Sequence, residues 1–344
     1  MLEFLSDYGL FLAKTVTLAA AILAIVIGSI GAAVRARRQA GGERLEIHSI
    51  NEHLEELRDA MNEHLLDPAA RKLWLKKRKQ ELKARRKGKT KPEGPRSRVF
   101  VLDFDGDLQA SAVSSLREEI SAILQVADKD DEVLLKLESG GGMVHSYGLA
   151  ASQLTRITGH GLRLTVAVDK VAASGGYLMA CVAQQILSAP FAIIGSIGVV
   201  AQLPNFHRLL KKHDVDFELH TAGDYKRTLT VFGENTDAAR AKFREELEET
   251  HELFKRFVIE HRPSVDLATV ATGEHWYGSQ AVTLRLVDRL STSDDYLLER
   301  AGQADVFALR YRHKRPISER LAAGLARLSN TLRGRLASSA PPVA

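Results

Sequence analysis

The chain has 344 residues, of which 45% are hydrophobic, so it can bury the core of one large domain or two smaller ones. Its 48 Lys and Arg outnumber its 43 Asp and Glu, but residues 71–98 alone carry 14 basic residues against two acidic ones, and the remainder has a net charge of −7. The basic excess is therefore a local patch, not a basic nucleic-acid-binding domain, and the single cysteine, Cys181, excludes an internal disulfide and a cysteine-rich metal site.

An uncharged run near the start predicts a membrane anchor. Residues 15–34 contain no charge, and as a helix they would span about 30 Å, the thickness of the hydrocarbon layer. The acidic start and the length of the run favour an uncleaved anchor over a signal peptide. We therefore predict a helix at about 10–34 within an anchor segment 1–40. More basic residues follow the run than precede it, and the positive-inside rule then places the rest of the chain in the cytoplasm.

The next segment, 41–97, is predicted to be helical and strongly basic. Apolar residues recur at helical spacing over 45–66, Asp67-Pro68 interrupts the pattern, and a basic helix follows before a linker rich in Gly and Pro. The basic helix is either a solvated, membrane-proximal element or a surface for anionic lipid head groups. Nucleic-acid binding is the weaker alternative, because Trp74 is its only aromatic residue.

From residue 98 onward, strand and helix patterns alternate. Strands are predicted at 98–104, 132–138 and 162–168, and helices at 111–126, at 143–157 and from Ala173. Short connections between alternating elements indicate a parallel sheet with right-handed crossovers. We therefore predict an α/β domain over residues 98–302.

Four later segments complete the prediction. The uncharged stretch 171–207 is broken by Pro and Gly and is interpreted as short core strands, not as a second membrane span. A strand is predicted at 217–220 and a long helix at 237–260, whose apolar stripe would pack on the sheet or on a neighbouring subunit. Residues 303–344 are predicted to hold a basic amphipathic helix, at 317–336, and a tail.

Three glycine-bearing turns are expected at the carboxyl edge of the sheet, where parallel folds place their sites. Residues 139–142 would bare consecutive N–H groups suited to an oxyanion. Ser174 follows a strand and precedes a helix, so it is either an exposed hydroxyl near a helix dipole or a simple N-cap. The third turn, 195–198, has Ser196 between two glycines.

A base for Ser174 is harder to find in the sequence. The 12 histidines show no triad spacing, which leaves lysine as the alternative. A lysine must be neutral to accept a proton, and burial lowers a lysine pKa by about 3–5 units. Lys226 follows the predicted strand 217–220, although Asp224 would oppose the neutral amine if it came close. Taken alone, Lys226 is better interpreted as an ordinary surface charge.

Together these turns resemble the signal-peptide peptidase A family of serine proteases. The motifs LESGGGMVHSYGLAAS, DKVAASGGYLMA, IIGSIGV, TAGDYKRTL with GENT, and TGEHWYGSQAVTLRLVD occur in the family's order over about residues 99–300. The resemblance implies a ClpP/crotonase-like fold and a Ser/Lys dyad that needs no metal or nucleotide. In one departure from the family pattern, Gly140 stands where the family usually has proline.

The resemblance assigns roles to five residues of this sequence. It implies that Ser174 is the nucleophile and Lys226 the general base, with Ser196 helping to orient the lysine. It also implies that the amides of Gly141 and Gly175 bind the oxyanion.

The resemblance further implies a homo-oligomeric ring at the bacterial inner membrane, in which Ser174 and Lys226 need not come from one subunit. Expected substrates are peptides or proteins, such as leftover signal peptides or membrane-protein fragments. In this family the catalytic domain is usually placed in the periplasm. The charges that flank the run 15–34 predict instead that it lies in the cytoplasm. Two alternatives stay open: a crotonase-type acyl-CoA enzyme that uses the same amides, and a non-catalytic membrane scaffold assembled through helix 237–260.

Overall fold

The computed structural model describes residues 14, 17, 44–86, 96–223 and 225–313. Residues Glu46–Tyr311 form one compact unit, and Met1–Leu45 with Arg312–Ala344 are assigned to a second. Among the described residues, no helix is both long enough and apolar enough to cross a membrane. Apart from Lys14 and Thr17, the predicted anchor helix lies outside the described residues, and so does the predicted C-terminal amphipathic helix.

The described part of the chain alternates strands and helices. The strands are β1 (Arg44–Ser49), β2 (Arg98–Gly106), β3 (Glu132–Ser139), β4 (Arg163–Val168), β5 (Val171–Ala173), β6 (Gln185–Ser188), β7 (Ile193–Gly195), β8 (His275–Tyr277), β9 (Arg289–Leu290) and β10 (Asp305–Arg312). The helices are α1 (Ile50–Leu65), α2 (Pro68–Arg86), α3 (Val113–Leu124), α4 (Val144–Gly159), α5 (Gly175–Ala180), α6 (His207–Lys212), α7 (Asp237–His261), α8 (Leu267–Val270), α9 (Gly278–Thr283) and α10 (Ser293–Ala301).

The strands form one sheet in the order β1-β10-β2-β3-β4-β6-β9, with β5 added between β3 and β7 and with β8 at the outside of β7. The pairings from β10 to β9 and those of β5 are parallel, whereas β8 runs antiparallel to β7. Six of the eight residues of β3 are buried, which is typical of a parallel strand covered on both faces. The predicted α/β class with a largely parallel sheet is confirmed.

Several predicted elements differ from the structure. Residues 45–49 form β1 at the sheet edge, where a helix was predicted, because they pair beside β10. The strand predicted at 217–220 is wrong: these four residues are exposed and form no ladder, since no strand lies beside them. The strands β1 and β10 come before and after residues 98–302 in the sequence, and together they extend one side of the sheet, next to β2. The short core strands predicted within 171–207 are confirmed as β5, β6 and β7.

A buried carboxylate links the start of β2 to the start of β3 through hydrogen bonds. The Asp131 side chain is 3% exposed and accepts hydrogen bonds from the backbone N–H of Arg98 (2.8 Å), from its guanidinium (2.6 and 3.0 Å) and from the N–H of Asp128 (2.8 Å). Burial raises the pKa of Asp131, but the hydrogen bonds from Arg98 and Asp128 outweigh it and lower that pKa below its ordinary value.

This lowered pKa makes the contribution of Asp131 to stability depend on pH. The contribution is present above the unfolded-state pKa of about 3.9 and is lost as pH falls through the lower folded-state value. We expect Asp131→Asn to reduce the free energy of unfolding by about 3 kcal/mol at pH 7, and by clearly less at pH 3. Urea unfolding at both pH values measures this. The exposed neighbour provides the control, since Asp130→Asn should change neither value, and equal losses for Asp131→Asn at the two pH values would contradict the assignment.

Candidate active site

Three turns lie side by side at the carboxyl edge of the sheet. Ser139, the last residue of β3, pairs with Ala172 of β5, and Ala173 pairs with Gly195 of β7. Because the three strands are parallel, the turns that follow them meet at one edge. The structure therefore brings together the glycine turn, the Ser174 turn and the Ser196 turn, as predicted.

Ser174 lies between β5 and α5 in a strained conformation, with φ 52° and ψ −119°. A residue other than glycine at positive φ costs about 1–3 kcal/mol, and such residues gather at functional sites. The N–H of Ser174 donates to the carbonyl of Gly195 (2.8 Å), and its carbonyl accepts from Leu178 (3.0 Å), which holds the turn in place. Ser174 stands at the N-cap position, yet its side chain makes no capping hydrogen bond, so the hydroxyl is available for another role.

The glycine turn packs directly against the Ser174 turn. A Cβ atom at Gly141, whose φ is 89°, would lie 2.7 Å from the nitrogen of Gly175 and 2.8 Å from the Cβ of Ser174. A Cβ atom at Gly175 would lie 2.4 Å from Cγ of Tyr147. Only glycine fits at both positions. The backbone amides of the two turns are thereby gathered around Ser174, which is the arrangement that an oxyanion site requires.

A chain of hydrogen bonds supports the glycine turn from behind. The N–H of Gly141 donates to Oγ of Ser139 (3.1 Å), which lies 2.6 Å from Oη of Tyr147, and the tyrosine hydroxyl donates to the carbonyl of Asp107 (2.7 Å). Tyr147 is 1% exposed, and its pKa is raised chiefly by burial, so the hydroxyl keeps its proton. Since that one proton goes to Asp107, the Ser139 hydroxyl must donate to Tyr147 while it accepts from Gly141.

This chain changes which amides are available to an oxyanion. The N–H of Gly141, predicted as a donor, already has a partner in Ser139. The amide of the next residue, Gly142, makes no hydrogen bond with any described residue, and Gly142 lines the same cavity as Ser174. Sequence reasoning did not single out Gly142, Ser139 or Tyr147. The signal for Tyr147 was its place on the buried face of α4, where a tyrosine hydroxyl needs a partner.

An apolar cavity of about 390 Å³ opens beside Ser174. Its walls come from the glycine turn, from α4 and α5, from the segment after β7 and from one side of α7. The larger aliphatic and phenyl side chains that line it are Val144, Leu178, Val199, Val200, Leu253, Phe254 and Phe257. Part of the stripe predicted on the long helix, namely Leu253, Phe254 and Phe257, thus faces this cavity. An apolar side chain of a bound peptide would fit such a space.

Ser196 lies in the neighbouring turn and is also strained, with φ 50°. Its N–H donates to the carbonyl of Glu274 (2.7 Å), and its hydroxyl lies 3.5 Å from the carbonyl of Gly273, at the limit of hydrogen bonding. Its hydroxyl therefore has only a weak partner within the described chain.

Lys226 is not joined to Ser174 or Ser196 by any hydrogen bond between described residues. It lies in an irregular, exposed segment, and it does not line the cavity beside Ser174. Its backbone N–H donates to the carbonyl of Gly223 (3.2 Å). Asp224, expected to matter for this lysine, lies outside the described residues. The pairing of Ser174 with Lys226 stays a prediction.

Comparisons with known proteins identify the family of the chain. Residues 3–154 match the family described as "Peptidase family S49 N-terminal", and residues 158–306 match "Peptidase family S49". A protein of Haemophilus influenzae named "Probable protease SohB" is 52% identical over 323 residues, which cover 92% of this chain and 91% of the relative.

Two proteins of the same name from Buchnera aphidicola are also similar. The protein from the subspecies Acyrthosiphon pisum is 59% identical over 238 residues, 69% of this chain and 71% of the relative. The protein from the subspecies Schlechtendalia chinensis is 49% identical over 307 residues, 87% of this chain and 100% of the relative. The resemblance seen in the turn motifs is thus confirmed, and the chain belongs to peptidase family S49.

Proposed function

We propose that the chain is a membrane-anchored serine endopeptidase that uses Ser174 and Lys226 as a catalytic dyad. The observation that carries the proposal is the setting of Ser174: a strained serine without a capping hydrogen bond, held against glycine amides beside an apolar cavity. Membership of family S49 supports cleavage of peptide bonds as the reaction. The ClpP/crotonase-like fold implied by the sequence accords with the parallel sheet and its edge of glycine turns.

The reaction follows from these groups. Neutral Lys226 takes the proton of the Ser174 hydroxyl as its Oγ attacks the peptide carbonyl, and the carbonyl oxygen becomes an oxyanion. The amides of Gly175 and Gly142 would bind the oxyanion, with Gly141 shaping the turn between them. Protonated Lys226 then gives its proton to the leaving amine, and water attacks the acyl-enzyme to release the second product.

A second copy of the chain would cover the exposed segment that carries Lys226. Lys226 is exposed, and the segment that carries it also exposes large apolar side chains. These side chains are Val215, Phe217, Leu219, Tyr225 and Phe232. Packing of this segment on a neighbouring subunit would bury these side chains and enclose the lysine, which favours the neutral amine. We therefore propose a homo-oligomer in which Ser196 and Lys226 meet Ser174 either within a subunit or across the interface.

The membrane part of the proposal rests on the uncharged run 15–34. Peptides left in or near a bilayer, such as signal peptides and membrane-protein fragments, are rich in apolar residues, which would match the apolar lining of the cavity. They are therefore the proposed substrates.

The dyad is tested by single substitutions. We expect Ser174→Ala to abolish both peptide hydrolysis and labelling by a fluorophosphonate probe, and Lys226→Ala to lower kcat by about 10³-fold or more, because proton transfer is lost. Lys212→Ala, an exposed lysine on α6, serves as the matched control and should keep full activity. Hydrolysis that persists in purified Ser174→Ala enzyme would refute the assignment of the nucleophile.

Mixing the two inactive variants locates the partner lysine. If the dyad forms across an interface, co-assembled Ser174→Ala and Lys226→Ala subunits should regain about one quarter of wild-type activity, because that share of sites combines two intact residues. If the dyad forms within a subunit, mixing should restore nothing.

The cavity should set the preference for the side chain that precedes the scissile bond. We expect peptides with Leu or Phe there to be cleaved much faster than peptides with Glu. Enlarging the cavity by Phe254→Ala should lower kcat/KM for the Leu peptide by about 10-fold, with a smaller effect on an Ala peptide. Phe243→Ala, on the same helix outside the cavity lining, should leave the ratio of the two peptides unchanged. An unchanged ratio in Phe254→Ala would show that another surface binds this side chain.

The hydrogen-bond chain behind the glycine turn should support catalysis. Tyr147→Phe removes the hydroxyl but keeps the ring, so we expect kcat to fall by about 10-fold with little change in KM, because an oxyanion donor is displaced and the binding cavity is kept. Tyr296→Phe is the control: Tyr296 is also buried and donates to Glu132 (2.5 Å), which begins β3, at the other end of that strand from the glycine turn. Both variants should lose about 1–2 kcal/mol of stability. A loss of kcat of equal size in both would assign Tyr147 a merely structural role.

A further inference from the structure

We propose that one face of α2 is a surface that binds the anionic head groups of a bilayer. The inference goes beyond the peptidase reaction and does not depend on it. The lysine face, as we name it, consists of Lys72, Lys76, Lys79 and Lys83. The spacing of four, three and four residues places these side chains in one row along the helix. All four lysines are exposed.

The opposite side of α2 is neutralised by α1. Arg78 forms ion pairs with Glu55 (2.9 Å) and Asp59 (2.7 Å), and Arg71 pairs with Glu63. Trp74 also lies on this inner side, where it lines a small cleft with residues of α1. The break between the two helices is fixed by Asp67, whose carboxylate accepts from the N–H groups of Ala69 and Ala70, both at 2.9 Å.

The lysine face lacks such ion pairs among the residues that the structure describes. Within the described part of the chain, no carboxylate forms an ion pair with any of its four lysines. Three acidic residues of α1, namely Glu55, Asp59 and Glu63, thus pair with the inner basic side chains, and the row of lysines on the other side of α2 keeps its positive charge. A row of uncompensated cations on a fixed helix attracts a surface of opposite charge.

Apolar side chains flank the lysine face and favour lipid as its partner. Leu73 is 72% exposed and Leu75 is 45% exposed, one on each side of the row. At a bilayer surface, leucines enter the head-group boundary while lysine stems extend to the phosphates. Nucleic acid fits less well, because the one aromatic residue of this helix, Trp74, faces α1 and is not available for stacking. The chain also passes through the uncharged run 15–34 shortly before the hairpin, so a bilayer that held this run would lie within reach.

A spin label beside the lysine face tests the proposal in the full-length chain. Gln80 is exposed and lies four residues after Lys76 and three before Lys83, so Gln80→Cys places a nitroxide next to the row. The native thiol, Cys181, is fully buried and should not react with the label. The chain is mixed with nanodiscs of phosphatidylcholine alone or with one third phosphatidylglycerol, and the collision rate of the label with a water-soluble nickel chelate is measured.

We expect the collision rate to fall by about threefold or more in the anionic discs and to recover at high salt, because the attraction is screened. Replacing the four lysines of the face by glutamine, which preserves helix propensity, should abolish the difference between the two lipids. A matched variant with Arg117, Lys129, Lys211 and Lys212 replaced by glutamine removes the same charge elsewhere and should keep it.

Three results would overturn the proposal: equal collision rates in the two lipids, an equal loss in the matched variant, or stronger protection of the label by duplex DNA in lipid-free buffer than by anionic discs. The readout does not involve hydrolysis. The lipid-binding proposal is therefore tested independently of the Ser174 and Lys226 dyad.

Discussion

The close approach of two backbone turns is the constraint on which the site depends. Gly141 lies so near Ser174 and Gly175 that no side chain fits between the turns, and the register of β3, β5 and β7 sets that distance. These three strands are parallel and end at nearly the same level, so the turns that follow them lie side by side. The backbone amides of the turns therefore come together through the backbone alone. The strain at Ser174 is tolerated because hydrogen bonds to Gly195 and Leu178 hold the turn on both sides.

The parts of the fold that sequence reasoning predicted are those with local signals. The strands β2, β3 and β4 have buried apolar runs, and the turns after β3, β5 and β7 are marked by glycine. The strands β1 and β10, on one side of the sheet, were missed because their partly exposed residues give no comparable pattern. The residues at 217–220 have strand-forming side chains but no neighbouring strand, and propensity alone does not make a ladder.

The site was predictable to a similar extent. Ser174, Ser196 and the glycine turn could be placed at one edge because each directly follows a strand. The position of Lys226 could not be derived, since its segment has no regular structure that would relate it to the three turns. The hydrogen bonds that link Gly141 through Ser139 to Tyr147 could not be predicted from the sequence either. They join a loop, the end of a strand and a helix, and no spacing pattern in the sequence relates these three residues.

The backbone angles at residue 174 restrict which side chain this turn can carry. At φ 52° and ψ −119°, a side chain branched at Cβ would collide with the adjoining peptide, whereas an unbranched one is accommodated. A thiol in place of the hydroxyl is thus sterically compatible with the turn, and threonine is not. The turn would therefore keep its backbone geometry if residue 174 were exchanged between serine and cysteine, and it would lose that geometry with threonine.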